Sequence, residues 1–124
     1  MVKFSICAGL LSCVLLPVTA PAEARTCGVA GDWQLAQSNG PTVNLRVVQV
    51  GNQLFGDAQY ARTTGVIRNG RINERALSFT INWRSGPIGE YVGGVRDGRM
   101  SGRTFDIRTP RSQATWFVTR TFGC

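Results

Sequence analysis

The chain has no histidine, and Lys3 is its only lysine. Without imidazole there is no Ser–His or Cys–His nucleophile pair and no imidazole metal ligand. Acidic residues are also scarce, seven against fourteen basic ones. Among them, Glu90 and Asp106 form the one pair that neighbouring strands could bring together for carboxylate chemistry, and surface pairing with Arg96 or Arg103 is the plainer reading. The glycines occupy strand and turn positions and make no phosphate-cradling loop. No apolar run reaches the roughly 20 residues of a membrane span. No gap between apolar stretches would hold the helix of a dozen or so residues that a parallel crossover needs. These absences predict a non-enzymatic, all-β protein with no metal and no cofactor.

An export signal opens the chain. Lys3 supplies the positive end, Phe4 to Leu16 the apolar stretch, and Ala22-Glu23-Ala24 the small residues of a cleavage site, with Pro17 and Pro21 interrupting the segment. The expected organisation is a signal peptide over 1–24 and one domain over 25–124, secreted or periplasmic. A lipoprotein anchored at Cys13 is the alternative, because Leu10-Leu11-Ser12-Cys13 loosely resembles a lipobox. Cys7 and Cys13 fall within the signal, which leaves Cys27 and Cys124 as an even pair. In an exported protein that pair reads as a disulfide. Closing so long a loop contributes about 4–5 kcal/mol in the chain-entropy model. That is a large share of the about 5–15 kcal/mol typical of a domain this size. The bond also requires both chain ends at one edge, which an even-stranded meander provides.

The formal net charge is +7, and every cation apart from Lys3 is arginine. The arginines are scattered along the chain instead of forming a run. Scattering reads as solubility; an anionic partner is the other reading, with nucleic acid disfavoured by export.

Alternating apolar residues punctuated by turn signals predict eight strands. They are Asp32 to Gln37, Val43 to Val50, Gln53 to Tyr60, Thr64 to Arg68, Ala76 to Arg84, Ile88 to Arg96, Met100 to Ile107 and Ala114 to Phe122. Val48 and Val50 break phase with Val43, Leu45 and Val47, suggesting a bulge. Asn69-Gly70 and Asp97-Gly98 read as hairpin turns because these residue types tolerate positive φ. The connections are all short, so the expected fold is a single eight-stranded antiparallel up-and-down barrel.

Gly31-Asp32-Trp33 on the first strand, with Arg120 on the last, resembles the calycin signature of lipocalins and avidins. In that signature the arginine covers the tryptophan and closes one barrel end. Within calycins the chain is most similar to avidins. Ala76 to Trp83 resembles the strand that brings a tryptophan to the ligand, Tyr91 to Gly98 resembles the following hairpin, and Trp116 falls near the tryptophan that avidins lend to a neighbouring subunit. The resemblance implies a barrel with a ligand site at its open end. It does not extend to the biotin contacts. Leu35 stands where avidins place an asparagine, Ala58 is nearest the expected tyrosine with Tyr60 two residues on, and Arg103-Thr104-Phe105-Asp106 replaces a Thr-x-Trp.

The candidate ligand-binding residues are therefore Trp83, Trp116, Tyr60, Tyr91 and Asp106, and Trp33 with Arg120 is assigned to barrel closure. Thr104 and Asp106 share one strand face; pointing inward, they would make the interior polar. The leading expectation is a binding protein that takes a small molecule other than biotin. The alternative is a protein–protein module, such as an inhibitor of a secreted hydrolase or a host-directed factor. Oligomerisation is left open.

Overall fold

The computed structural model describes residues 26–124; the expected export signal, its expected cleavage site and Cys13 lie outside them. Eight strands follow in order: β1 (Gly31–Gln37), β2 (Thr42–Val50), β3 (Gln53–Tyr60), β4 (Thr63–Asn73), β5 (Ala76–Trp83), β6 (Ile88–Arg96), β7 (Arg99–Asp106) and β8 (Thr109–Val118). Each pairs antiparallel with the next, and β8 returns to β1 through Leu35↔Val118, Ala36↔Phe117 and Gln37↔Trp116, closing the barrel. Among the described residues there is no helix long and apolar enough to cross a membrane.

The two-residue period of strands sorts side chains between wall faces. On β5, Leu77, Phe79 and Ile81 are buried, while Ser78, Thr80 and Asn82 alternate outward. Aromatic rings fill the interior. Phe122 meets Trp33 edge-on at 5.8 Å, Trp33 meets Phe79 at 5.9 Å, and Phe79 stacks on Tyr91 at 5.0 Å. Trp116 packs beside Phe79 and Tyr91 at 6.4 and 6.3 Å. Such pairs contribute about 0.5–1.5 kcal/mol each beyond their buried area. Room for Trp116 comes from Gly93 and Gly102, which face each other across β6 and β7. A Cβ on either would stand 2.7 Å from the indole Cζ2 and would also collide with backbone.

Three local expectations are corrected. First, β2 has no bulge: its pairing with β3 is regular from Asn44 to Val50. Val48 and Val50 simply face solvent, and Gln49 takes the inward position beneath them. Its Oε1 accepts from the Val29 N–H at 2.8 Å, and its Nε2 donates to the Cys27 and Gly51 carbonyls at 3.1 Å each. The phase break therefore marks a polar plug. Second, Asn69-Gly70 is not a hairpin. It bulges within β4, where pairing slips between Arg68 and Arg71, and Asn69 adopts φ 51°. A side chain on Gly70 would strike Leu54, so this close approach requires glycine. The real turn is Glu74-Arg75, with Glu74 at φ 57°. Third, the last strand begins at Thr109 and ends at Val118. An irregularity opposite Phe105 and Asp106 swings residues 110–112 away from the ladder.

The two barrel ends differ. At one end, the Cys27–Cys124 disulfide joins the terminal segments, and Gly28 bridges Gly123. The Cys27 N–H also donates to the Glu74 carbonyl at 2.9 Å. Val29 and Phe122 are buried there. The Trp33 indole N–H donates to the Val29 carbonyl at 2.8 Å. The guanidinium of Arg120 lies 4.6 Å from the Phe122 ring centroid, and its Nη1 donates to the Asp32 carbonyl at 3.4 Å. Arg120 thus reaches Trp33 through Phe122, not by covering the indole. The opposite end carries the turns β1–β2, β3–β4, β5–β6 and β7–β8, and among the described residues no chain segment covers it.

Candidate functional site at the open barrel end

Five elements carry polar or aromatic side chains into the uncovered end. The β1–β2 turn is folded against β8. The Ser38 N–H donates to the Thr115 carbonyl at 2.8 Å, and Ser38 Oγ accepts from the Thr115 N–H at 2.9 Å. This places Asn39 over the rim. From β5, Trp83 is held by the following turn, donating its N–H to the Pro87 carbonyl at 3.0 Å. Its indole lies against Gly65, where a Cβ would stand 3.0 Å from Cε3. Tyr91 comes from β6, and Thr104 and Asp106 come from β7. The irregular start of β8 adds Ser112. Together they line a depression of about 140 Å³. Larger hollows, such as one of about 440 Å³ over Asp32, Asn44, Arg46 and Asp57, lie on the outer wall and have strand backbone as their floor.

A hydrogen-bonded chain forms one side of this depression. The Tyr91 hydroxyl donates to Gln37 Oε1 at 2.7 Å, and Gln37 Nε2 donates to Asn39 Oδ1 at 3.0 Å. Burial pushes the Tyr91 hydroxyl up to about 12, partly offset by its hydrogen bond with Thr104. The phenol therefore stays protonated as a fixed donor at the base of the mouth. Thr104 itself is buried. Asp106 Oδ1 accepts from the Arg108 N–H at 2.9 Å, capping the β7–β8 turn.

The sequence-predicted residues separate here. Trp83, Tyr91 and Asp106 line the mouth. Trp116 lies deeper, fully buried, with its indole N–H donated to the Arg103 carbonyl at 2.9 Å. Tyr60 ends β3 on the rim, exposed and outside the depression. Gln37, Asn39 and Ser112 were not anticipated. Asn39-Gly40 carries only the signal of a turn, and nothing in the spacing points to the other two. Glu90 and Asp106 are not a catalytic pair. The register sets Glu90 opposite Phe105 and Asp106 opposite Gly89, so alternation turns them to opposite wall faces. Desolvation raises the Glu90 carboxyl above the usual range. Among the described residues, no three metal-ligating side chains cluster.

No known protein family, curated protein or solved structure matches this chain. Its closed eight-stranded antiparallel barrel is consistent with a calycin-like architecture.

Proposed function

We propose that this is an exported, non-enzymatic binding barrel, secreted or periplasmic, that holds a small molecule other than biotin at its open end in the manner of avidins. The observation that carries the reading is Trp83. The other two tryptophans donate their indole N–H groups to backbone carbonyls, whereas Trp83 has no acceptor for its own among the described residues. A half-buried aromatic with an unused donor, beside an ordered Tyr91–Gln37–Asn39 chain, suits an apolar body with a polar end. Thr104 and Asp106, on the inward face, add polar groups to the same opening.

Thermal melts of the oxidised domain against biotin and a panel of anionic and apolar ligands test this. A true ligand at a thousandfold excess over its Kd stabilises the fold by about 4 kcal/mol. Trp83→Ala should abolish that shift. A ligand shift that survives Trp83→Ala would place binding elsewhere and overturn the reading, and a large biotin shift would overturn the exclusion of biotin.

A second reading, a protein–protein module, is favoured by the outer wall. Val48 and Phe55 face each other across β2 and β3 and are about half exposed (52% and 47%), with Val50 beside them at 62%. Under that reading Phe55→Ser would weaken partner capture and leave ligand melts unchanged.

A further inference from the structure

Four arginines from three different hairpins lie around the open end. Arg62 lies in the β3–β4 turn, Arg84 in the β5–β6 turn and Arg108 in the β7–β8 turn. Arg111 lies in the irregular start of β8 that also brings Ser112 to the mouth. All four are exposed. The sole ion pair among the described residues is Arg46–Asp32, on the outer wall at 3.5 Å. None of the four makes an ion pair among the described residues, and Asp106 is the only carboxylate in the lining to offset them. The one acid at the mouth, Asp106, already has an oxygen engaged by the Arg108 backbone.

The opposite end also has four arginines, Arg75, Arg96, Arg99 and Arg120, but Glu74 and Asp97 lie in the same turns. Two carboxylates thus offset that end, against one at the mouth. A ring of like charge around a concave opening raises the local concentration of the opposite ion, within the screening length of about 8 Å at physiological salt.

The lining adds a matching bias toward donors. Trp83 Nε1–H and the Asn39 side-chain amide N–H₂ have no acceptor among the described residues, because the Gln37 chain uses Asn39 as an acceptor only. The Ser112 hydroxyl stands in the same lining, while that of Thr104 is engaged with Tyr91. Surplus donors inside and unpaired guanidinium groups outside both call for an acceptor-rich, negatively charged group.

We propose that the open end selects an anionic ligand, a small carboxylate or phosphate whose apolar body lies against Trp83 and whose charged group faces Arg62, Arg84, Arg108 and Arg111. The proposal rests on the binding-barrel reading and specifies its ligand class.

The test titrates ¹⁵N-labelled oxidised protein with four probes of similar size: phenylacetate, phenyl phosphate, neutral phenylacetamide and cationic phenethylamine. The indole N–H resonance of Trp83 reports the mouth, and those of Trp33 and Trp116 serve as internal controls. The expected result is movement of the Trp83 signal by either or both anions, at affinities at least about tenfold above the amide, with no response to the amine. Raising salt from about 20 to about 500 mM should weaken anion binding and leave amide binding unchanged. The double variant Arg84→Glu/Arg108→Glu should lower anion affinity at least about tenfold without changing amide affinity. The two anions distinguish a carboxylate from a phosphate preference.

Equal, salt-independent binding of acid and amide at Trp83 would overturn the anion proposal while leaving the mouth as a binding site. Failure of all four probes to move Trp83 would overturn both.

Discussion

The two ends of this barrel are built from the same strands by opposite rules. At the closed end the polar groups turned inward have protein partners. Gln49 takes the Val29 N–H and returns two donors to carbonyls, Trp33 gives its indole N–H to Val29, and a disulfide joins the terminal segments. At the open end the hydrogen bonds stop one partner short, with donors of Trp83 and Asn39 facing the opening. Buried polar groups left unmatched cost about 1–3 kcal/mol each, so complete pairing at one end is what stability selects. Incomplete pairing at a wet, cationic rim costs little, because water substitutes for a ligand. The contrast locates stability at the closed end and the proposed recognition at the open one.

Breaking the closed end should have the largest effect. Cys124→Ser, or reduction, should cost about 4 kcal/mol, since the bond closes a loop with a sequence separation of 97. In a domain near 100 residues this lowers Tm by at least about 15 °C, readable by circular dichroism. An unchanged melt would mean the terminal segments hold without the bond.

Next in size is an alkaline signature at the base of the mouth. Burial holds Tyr91 protonated in the fold to about 12 against an ordinary 10, so the folded state binds this proton more tightly than the unfolded state does. The resulting stability is fully present below pH 10 and is lost as pH rises through 12, a fall of about 2–3 kcal/mol. The described residues contain no lysine, histidine or free thiol to mask it. Denaturant midpoints measured across that window should decline in the parent and stay flatter in Tyr91→Phe. Identical slopes would show that the hydroxyl is solvated.

Gln49→Leu probes the polar plug. It leaves the buried Val29 N–H without its acceptor and should destabilise by about 1–3 kcal/mol. A neutral result would mean that water fills the gap.

The smallest effect sharpens the comparison from the other side. Arg84→Ala and Arg108→Ala should each shift stability by no more than about 0.5 kcal/mol, because both side chains are exposed and lack ion-pair partners among the described residues. A larger loss would give these cations a structural role.

Much of the fold was legible because the inward face of a strand repeats every second residue. Leu77, Phe79 and Ile81 declared β5, and the short turns excluded parallel crossovers. The disulfide was legible from an even pair of cysteines near the domain's ends. Gln49 was misread because a polar residue at a core position looks like a slipped register until its backbone partners, about twenty residues away, are visible. Asn69-Gly70 was misread because the same positive φ serves a hairpin or a bulge. Only the continued pairing of Arg71 to Asn73 with β5 chooses between them. Of the candidate site, Trp83, Tyr91 and Asp106 were found from aromatic placement and strand alternation. Trp116 could not be separated from them, because the depth of a ring along a strand depends on the glycines opposite it, and Gly93 and Gly102 come from two other strands.

By itself, then, the sequence determined the alternation, the strand count, the meander and the cysteine pair, because each is written in residues near one another or in simple counts. Only the tertiary structure decided which end is sealed, which tryptophan faces the opening, and that Arg62, Arg84, Arg108 and Arg111 belong together. The physical reason is barrel closure. It gathers the turns at one end of the antiparallel meander, and with them charges from three different hairpins, around one opening.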